Sequence, residues 1–245
     1  MDHKTKFYNL KRCLGKEDPL ILEIGSHTGS DTYRFLKSFE DPTIHCFEPN
    51  PYTCKVFEKY INSDKVFLHK IALYDEDLES KEFYASHHDI SREHFEQNKA
   101  AILRCEYSYQ FTKEDFFDCK LNRSAASSLK SGSEALDDAE VFLVECLTLD
   151  TWNRKNEVGD IDLMWIDVQG SEPNVLRGGA TTLSHTKFIW IEYGETDYEG
   201  GMTREETITL LREKGFSPLE RLSDTGAKGD LLFVNKEILK RDLLS

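Results

Sequence analysis

Two acidic residues stand at the ends of consecutive apolar segments in the N-terminal half of the chain. Glu23 lies in LILEIGSHTGSDT, where Gly25 and Gly29 enclose three further residues. Glu48 follows TIHCF and precedes a turn that is rich in proline. Because ligands bind at the carboxyl ends of the strands in an open α/β sheet, we expect both acids to lie at one binding site.

The types of these residues restrict the ligand. The G-x-x-x-G spacing of Gly25 and Gly29 differs from the G-x-G-x-x-G loop that brings backbone against a pyrophosphate. A carboxylate at Glu23 would repel a diphosphate, but it suits a ligand with an ammonium group and a sulfonium. Glu48 stands where an acid can accept hydrogen bonds from both hydroxyls of a ribose. Together these features describe S-adenosylmethionine, although Glu23 could instead cap its turn and Glu48 could be a solvated loop acid.

Alternating strand-like and helix-like segments predict a parallel α/β sheet that positions these acids. Strands are predicted at 20–24, 43–47, 65–73, 141–149, 161–166, 187–193, 217–221 and 231–234. Helices are predicted at 31–39, 52–61, 171–177 and 203–214. We expect 81–85 to pair with the third strand, the Gly178-Gly179 pair to close the third helix, and Gly215 to end the fourth.

The alternation lapses between residues 86 and 140, in a polar segment with many aromatic residues. We interpret this segment as an insertion or lid within a single domain of residues 1–245, with some helix inside it. A cluster of possible ligands opens it, namely His87, His88, Asp89 and His94. Their spacing matches no familiar zinc pattern, so a solvated loop is favoured and no metal is predicted.

Composition excludes several classes of protein. The net charge is −14 at pH 7, which argues against nucleic acid as a partner. No apolar run is long enough for a transmembrane segment, and we expect no charged-then-apolar leader. The 6 cysteines have no zinc-ligand spacing and no CxxC pair, which favours a reducing, cytoplasmic setting. The oligomeric state stays open.

The segments LEIGSHTGSDT, CFEPNP, HKIALYDED, TLDTW, DLMWIDVQGSEPNVLRGG and WIEYGE resemble, in this order, the FkbM-type S-adenosylmethionine-dependent methyltransferases. The resemblance covers about Leu20 to Glu195. It implies the Rossmann-like class I methyltransferase fold. In that fold a seven-stranded, mostly parallel sheet has its last strand antiparallel and helices on both faces.

The resemblance also implies where the cofactor binds. Glu23, Gly25 and Gly29 would surround its methionine part, and Ser26 and Asp31 of the same turn are counted with them. Glu48 would hold the ribose, Ala72 would lie near the adenine, and Asp167 would face the reactive methyl group. The family usually has Asn at the position of His27, so the contact to the methionine carboxylate is expected to differ here in its details. It usually has Glu at the position of Gln169, so that one candidate base is missing here.

Family members mostly methylate hydroxyl groups of sugars, glycolipids, oligosaccharides and polyketides, so a carbohydrate or glycolipid-type acceptor is implied. A hydroxyl needs a general base, for which Asp167 is the first candidate and Glu192 or Glu195 the second. Asp167 could instead contact the cofactor or cap a helix, and Glu172 could stabilise the start of its own helix.

The chain has IDVQG after this strand, where methyltransferases that act on planar amino groups have Asp/Asn-Pro-Pro-aromatic. This difference favours an oxygen acceptor. Two alternatives stay open. One is a nicotinamide oxidoreductase, and the other is an inactive cofactor-binding partner subunit.

Overall fold

The computed structural model describes residues 3–87, 89–97, 112–122, 124–131, 133–194 and 198–244. The strands are β1 (Leu20–Ile24), β2 (Thr43–Phe47), β3 (Val66–His69), β4 (Ala72–Tyr74), β5 (Leu78–Ala85), β6 (Glu140–Thr148), β7 (Ile161–Ile166), β8 (Thr186–Tyr193), β9 (Phe216–Pro218) and β10 (Gly229–Asn235). The helices are α1 (His3–Leu14), α2 (Ser30–Ser38), α3 (Pro51–Tyr60), α4 (described over 92–97), α5 (Lys113–Asp118), α6 (Leu149–Asn156), α7 (Glu172–Arg177), α8 (Ala180–Ser184), α9 (Arg204–Glu213) and α10 (Lys236–Leu244).

The main sheet has seven strands in the order β3-β2-β1-β7-β8-β10-β9. The pairs formed by β1, β2, β3, β7 and β8 are parallel, and β10 runs antiparallel to both of its neighbours. The predicted fold, with an antiparallel last strand, is therefore confirmed. The chain proceeds outward from β1 in one direction and from β7 in the other, so the gap beyond the ends of these two strands is the expected ligand site.

Both faces of the main sheet are buried, which explains the continuous apolar runs in its strands. In β7, Leu163 and Trp165 belong to the core on one face, while Met164 and Ile166 belong to the core on the other. Helix α1 covers the Trp165 face through residues that include Phe7. We did not predict α1, α6, α8 or α10. The apolar residues of α1 have helical spacing, but no strand precedes them to suggest an α/β unit.

The third predicted strand, 65–73, is wrong as a single element. It bends after His69, so β3 stays in the main sheet while β4 pairs with β6 in a second sheet. The pairing expected for 81–85 is also wrong, because β5 pairs antiparallel with β6 and completes this three-stranded sheet. The apolar run KVFLHKIAL gave no sign of the bend. The half-exposed pattern of β6 is typical of a sheet with one face in water.

Helix α7 ends at Arg177 and is closed by Gly178, as expected, but the conformation of this glycine is not the usual one. Gly178 is the C-cap but has a φ of −73°, so it does not form the left-handed cap that glycine usually supplies. A Cβ at Gly178 would instead lie 2.1 Å from the carbonyl oxygen of Tyr74. The glycine is needed because α7 passes close to β4. Gly215, with a φ of +88°, follows α9 as expected.

The last predicted strand pair is shifted, since β9 ends at Pro218 and Glu220–Leu222 forms a 3-10 turn.

Within the described parts of the chain, no helix combines the length and the apolar character that a membrane crossing requires. Cys13, Cys46, Cys54, Cys119 and Cys146 are free thiols. Cys105, His88 and Glu195 lie outside the described residues.

Candidate active site

A cavity of about 210 Å³ lies at the carboxyl ends of β1, β2 and β7. Seven of the predicted site residues line it: Glu23, Gly25, Ser26, Asp31, Glu48, Ala72 and Asp167. Gly29 and Glu192 do not line it. The lining residues that were not predicted include Arg34 of α2 and a covering segment formed by Ser124, Ala125, Ser127 and Leu129. The turn residues in SAASSLKSGS marked that segment as a loop, but nothing in the sequence indicated where the loop would fold back.

Glu48 is buried and held at both carboxylate oxygens. Its Oε2 accepts a hydrogen bond from the backbone N–H of His27 at 2.8 Å, and its Oε1 accepts one from the N–H of Asn50 at 2.8 Å. Burial raises the pKa of Glu48 to about 7 although these two hydrogen bonds favour the ionised form. Each oxygen keeps a lone pair for a further donor, so the carboxylate is suited to bind two neighbouring hydroxyls.

Glu23 is buried beside a second acid. Its Oε2 accepts a hydrogen bond from the Thr32 hydroxyl at 2.6 Å. Burial and, to a smaller extent, the charge of Asp31 raise the pKa of Glu23 to about 8. Asp31 itself forms an ion pair with Arg34 one turn later in α2. A ligand with a cationic group would stabilise the ionised Glu23, which the chain alone disfavours.

The two glycines of the first turn are required by the packing of the chain. Gly25 has a φ of +90°, and a Cβ there would lie 1.7 Å from the carbonyl oxygen of Asp167. Gly29, with a φ of +85°, is the N-cap of α2 and packs against Ile61 and Phe57, away from the cavity. Gly25 thus lets the loops after β1 and β7 cross beside the cavity.

Three buried hydroxyls of the cavity wall have no hydrogen-bond partner among the described residues: the Oγ atoms of Ser26, Ser30 and Ser171. Buried hydroxyls are normally hydrogen-bonded, so these three indicate a polar ligand. At the other end of the cavity, Ala72, Phe83 and Leu129 form an apolar wall. The residues present therefore fit S-adenosylmethionine, which carries a charged amino acid, a ribose diol and a flat adenine.

Asp167, Gln169 and Glu192 form a connected group where β7 and β8 end. The Nε2 of Gln169 donates to the Oδ1 of Asp167 at 2.7 Å and to the Oε2 of Glu192 at 2.7 Å. Burial raises the pKa of Asp167 above its ordinary value, while a hydrogen bond with Glu192 opposes that shift. Glu192 thus joins the site through its contacts, although it does not line the cavity.

Glu172 stabilises the loop that precedes its helix. Its carboxylate accepts hydrogen bonds from the N–H groups of Val168 at 2.9 Å and Gly170 at 3.0 Å, and burial raises its pKa to about 7. Carboxylate oxygens of Asp167, Glu172 and Glu192 lie within 4.8 Å of one another. The side chain of Gln169 and backbone N–H groups already bind these acids, so we assign no metal, and the absence of one stays a prediction.

His27, which replaces the usual Asn, adopts the left-handed conformation with a φ of +50°. Its Nε2 lies 2.7 Å from the Ser124 hydroxyl, which ties the first turn to the covering segment. Burial lowers the pKa of His27 to about 4, so the ring is neutral near pH 7. Another histidine, His87, lines a separate cavity of about 30 Å³ together with Asp89 and Lys120.

The strand order and the switch point between β1 and β7 are those of the class I methyltransferase fold. The chain matches the methyltransferase FkbM domain over residues 23–218. It is 29% identical over 229 residues to the 2-O-methyltransferase NoeI of Sinorhizobium fredii, an alignment that covers 92% of this chain and 83% of that protein.

Two solved structures are similar only at the level of overall shape. Magnesium protoporphyrin IX methyltransferase (ChlM) of Synechocystis PCC 6803, with bound S-adenosylmethionine, has a TM-score of 0.49 and 8% identity, covering 95% of this chain and 77% of that one. Precorrin-6y C5,15-methyltransferase of Geobacter metallireducens has a TM-score of 0.45 and 9% identity, covering 95% and 87%. The fold assignment rests on the strand order.

The chain belongs to the FkbM methyltransferase family, and it is an S-adenosylmethionine-dependent methyltransferase. Between the enzyme classes that the sequence left open, the family match favours methyl transfer over nicotinamide chemistry.

Proposed function

We propose that this chain transfers a methyl group to a hydroxyl group of a carbohydrate, oligosaccharide or glycolipid-type acceptor. The observation that carries the proposal is the pair of carboxylates, Asp167 and Glu192, that the amide of Gln169 joins beside the cavity. The name of NoeI, a 2-O-methyltransferase, supports oxygen as the accepting atom. The net charge of −14 supports an acceptor without a nucleic-acid backbone.

Groups at both ends of the cavity would hold the cofactor. Glu48 would bind the two ribose hydroxyls, and Glu23 with Asp31 would bind the ammonium group. The hydroxyls of Ser26 and Ser30 would hydrogen-bond with the methionine part, and Ala72 would lie near the adenine. When bound, S-adenosylmethionine supplies an electrophilic methyl group on a positively charged sulfur.

Asp167 accepts the proton of the acceptor hydroxyl, because a protonated hydroxyl is a poor nucleophile. Its raised pKa brings the base closer to neutral pH than an ordinary aspartate, which strengthens it for this task. Gln169 holds the carboxylate in one orientation, and Glu192 shares the proton that Asp167 has taken up. The reaction then depends on positioning and on the exclusion of water.

The covering segment, residues 124–129, excludes water from the site. The Ser124 hydroxyl contacts His27, and the Ser128 hydroxyl donates to the carbonyl oxygen of Gln169 at 2.6 Å. These contacts join the loops after β1 and β7, so the segment covers the cofactor and the base together. They support a lid within residues 86–140 of a single domain.

The test is a transfer assay with methyl-labelled S-adenosylmethionine and a panel of methyl glycosides. For each sugar that accepts the label, analogues that lack one hydroxyl serve as matched controls. We expect incorporation that disappears when one particular hydroxyl is removed. Labelling of amino groups or of nucleobases instead would contradict the proposal. Cofactor binding without transfer to any acceptor would favour the inactive partner subunit.

A further inference from the structure

Three acids lie side by side on neighbouring strands of the main sheet, at the end of the sheet where the parallel strands finish and the active site lies. Glu192 of β8 lies opposite Asp230 of β10 in the strand register. Asp167 follows the paired residues Ile166 and Ile191 by one position, and it hydrogen-bonds with Glu192. Like charges opposite each other on neighbouring strands destabilise a sheet. The acid row, Asp167–Glu192–Asp230, therefore needs compensating donors.

Each end of the acid row has such a donor. Gln169 donates to Asp167 and Glu192, as described above. At the other end, the Nζ of Lys6 in α1 lies 2.7 Å from the Oδ2 of Asp230. Gln169 carries no charge, so it satisfies hydrogen bonds without neutralising the pair that it joins. Lys6 supplies a full positive charge.

The lysine end of this ion pair is buried in the core, whereas the side chain of Asp230 is partly exposed. Lys6 is only 8% exposed, and its Nζ lies 4.2 Å from the ring centre of Trp165 and 4.5 Å from that of Trp190. The two indole rings are stacked at 5.3 Å. A buried ammonium group is unfavourable unless a carboxylate or an aromatic face compensates it, and Lys6 has both. Trp165 and Trp190 precede Asp167 and Glu192 by two residues in their strands, so α1 reaches the acid row directly.

We propose that Lys6 is a positioning residue for methyl transfer, which neutralises Asp230 and so keeps the Asp167–Glu192 pair able to accept the acceptor's proton near neutral pH. The inference rests on the proposed role of Asp167 as the base. It assigns α1 a function in the reaction that the FkbM domain match, which begins at residue 23, does not cover.

The physical reason is the interaction between neighbouring charges. Without Lys6, Asp230 would place an uncompensated negative charge beside Glu192, and the pKa of the pair would rise. Other titratable or charged groups surround the acid row. On the cavity side they are Glu23 of β1, His27 of the first turn, Asp31 and Arg34 of α2, Glu48 after β2, and Glu172 of α7. On the side of β10 they are Tyr193 of β8, Arg204 of α9, and Asp224. These groups are the same in every variant below.

The first experiment is the pH dependence of kcat for methyl transfer. In Lys6→Met we expect the acidic limb to move to higher pH by about one unit, with the rate at high pH retained. In Asp230→Asn we expect it to move to lower pH, and in the Lys6→Met/Asp230→Asn double variant to return near the wild-type position. Lys11→Met is the matched control, because it removes a charge from the same helix at a partly exposed residue that pairs with Glu17 and not with the acid row. An unchanged limb in Lys6→Met, or a double variant that behaves like Lys6→Met, would overturn the proposal.

A second readout does not depend on activity. In a Trp152→Phe background, the remaining tryptophans Trp165 and Trp190 report the titration of the acid row by fluorescence. We expect the midpoint to move up by about one pH unit in Lys6→Met and to return when Asp230→Asn is added. If no acceptor is methylated but this midpoint moves, the proposed function fails while the coupling of Lys6 to the row stands. If transfer occurs and neither midpoint nor limb moves, the role of Lys6 fails alone. If Lys6→Met does not fold, Asp230→Asn provides the test. The proposal then requires the acidic limb of kcat and the fluorescence midpoint of this variant to move to lower pH, and it fails if they do not move.

Discussion

Glu23→Gln is expected to make the cofactor-free protein more stable and its cofactor binding weaker. In the folded chain, burial and the neighbouring Asp31 raise the pKa of Glu23 from 4.5 to about 8. The protonated form of Glu23 therefore stabilises the folded state. This contribution is fully present below the pKa of the unfolded chain and is lost as the pH rises through the pKa of the folded chain. The wild-type free energy of unfolding therefore contains a contribution from Glu23 that falls between about pH 5 and pH 8.

The magnitude follows from that pKa shift. A difference of about 3.5 pH units at about 1.4 kcal/mol per unit amounts to about 5 kcal/mol above pH 8. Glutamine keeps an oxygen that can accept a hydrogen bond from the Thr32 hydroxyl. Its NH₂ group is buried, and without an acceptor it lowers the free energy of unfolding by about 1–3 kcal/mol. The expected net gain for Glu23→Gln is about 2–4 kcal/mol at pH 8.5, and it disappears near pH 5.

The assay is urea unfolding of wild type and variant at pH 5.5 and pH 8.5, followed by calorimetry with S-adenosylhomocysteine at pH 8.5. We expect the ligand to bind at least tenfold more weakly to the variant, because its ammonium group loses the charged partner. Glu58→Gln is the control, since Glu58 is an exposed acid paired with Lys70. A variant that is less stable than wild type at pH 8.5, or that binds the ligand equally well, would refute this reasoning.

Two further predictions concern the base and the fold. Asp167→Asn keeps an oxygen for the amide of Gln169, so we expect unchanged binding of S-adenosylhomocysteine and transfer reduced by about 10² to 10⁴-fold, with the exposed Asp64→Asn as control. Full activity in Asp167→Asn would show that another group is the base. Gly178→Ala places a Cβ 2.1 Å from the carbonyl oxygen of Tyr74, whereas Gly159→Ala has nothing within 4 Å. We expect the first to lose about 1–3 kcal/mol in urea unfolding and the second to change little; equal stabilities would contradict the close packing of α7 on β4.

The part of the fold that could be predicted is the part with strong local signals. The strands β1, β2 and β7 are apolar runs that are followed by an acid or a glycine, and the family resemblance implied the sheet in which they lie. The bend after His69 could not be predicted, because a strand that changes sheets keeps the same apolar pattern on both sides of the bend. Helix α1 has a readable periodicity, but its contact with Trp165 depends on the tertiary fold.

The candidate site shows the same division. Glu23 and Glu48 were found because they stand near the carboxyl ends of two strands, and the family resemblance implied the position of Asp167. The roles of neighbouring residues were harder to predict. Gly29 has the conformation expected of glycine, but it packs against Ile61 and does not line the cavity. The covering segment could not be placed, because its contacts are made by serine hydroxyls across long separations in the sequence. Lys6 was missed for a related reason, as a lysine in a helix is usually exposed.

We propose that the cavity between β1 and β7 binds S-adenosylmethionine through Glu48. The most direct test is a calorimetric titration of S-adenosylhomocysteine, and separately of NAD, into the wild type and into Glu48→Ala, with thermal unfolding to verify that the variant is folded. We expect micromolar binding of S-adenosylhomocysteine to the wild type, loss of that binding in Glu48→Ala, and no binding of NAD. Binding of NAD, or equal binding of S-adenosylhomocysteine by the folded variant, would contradict it.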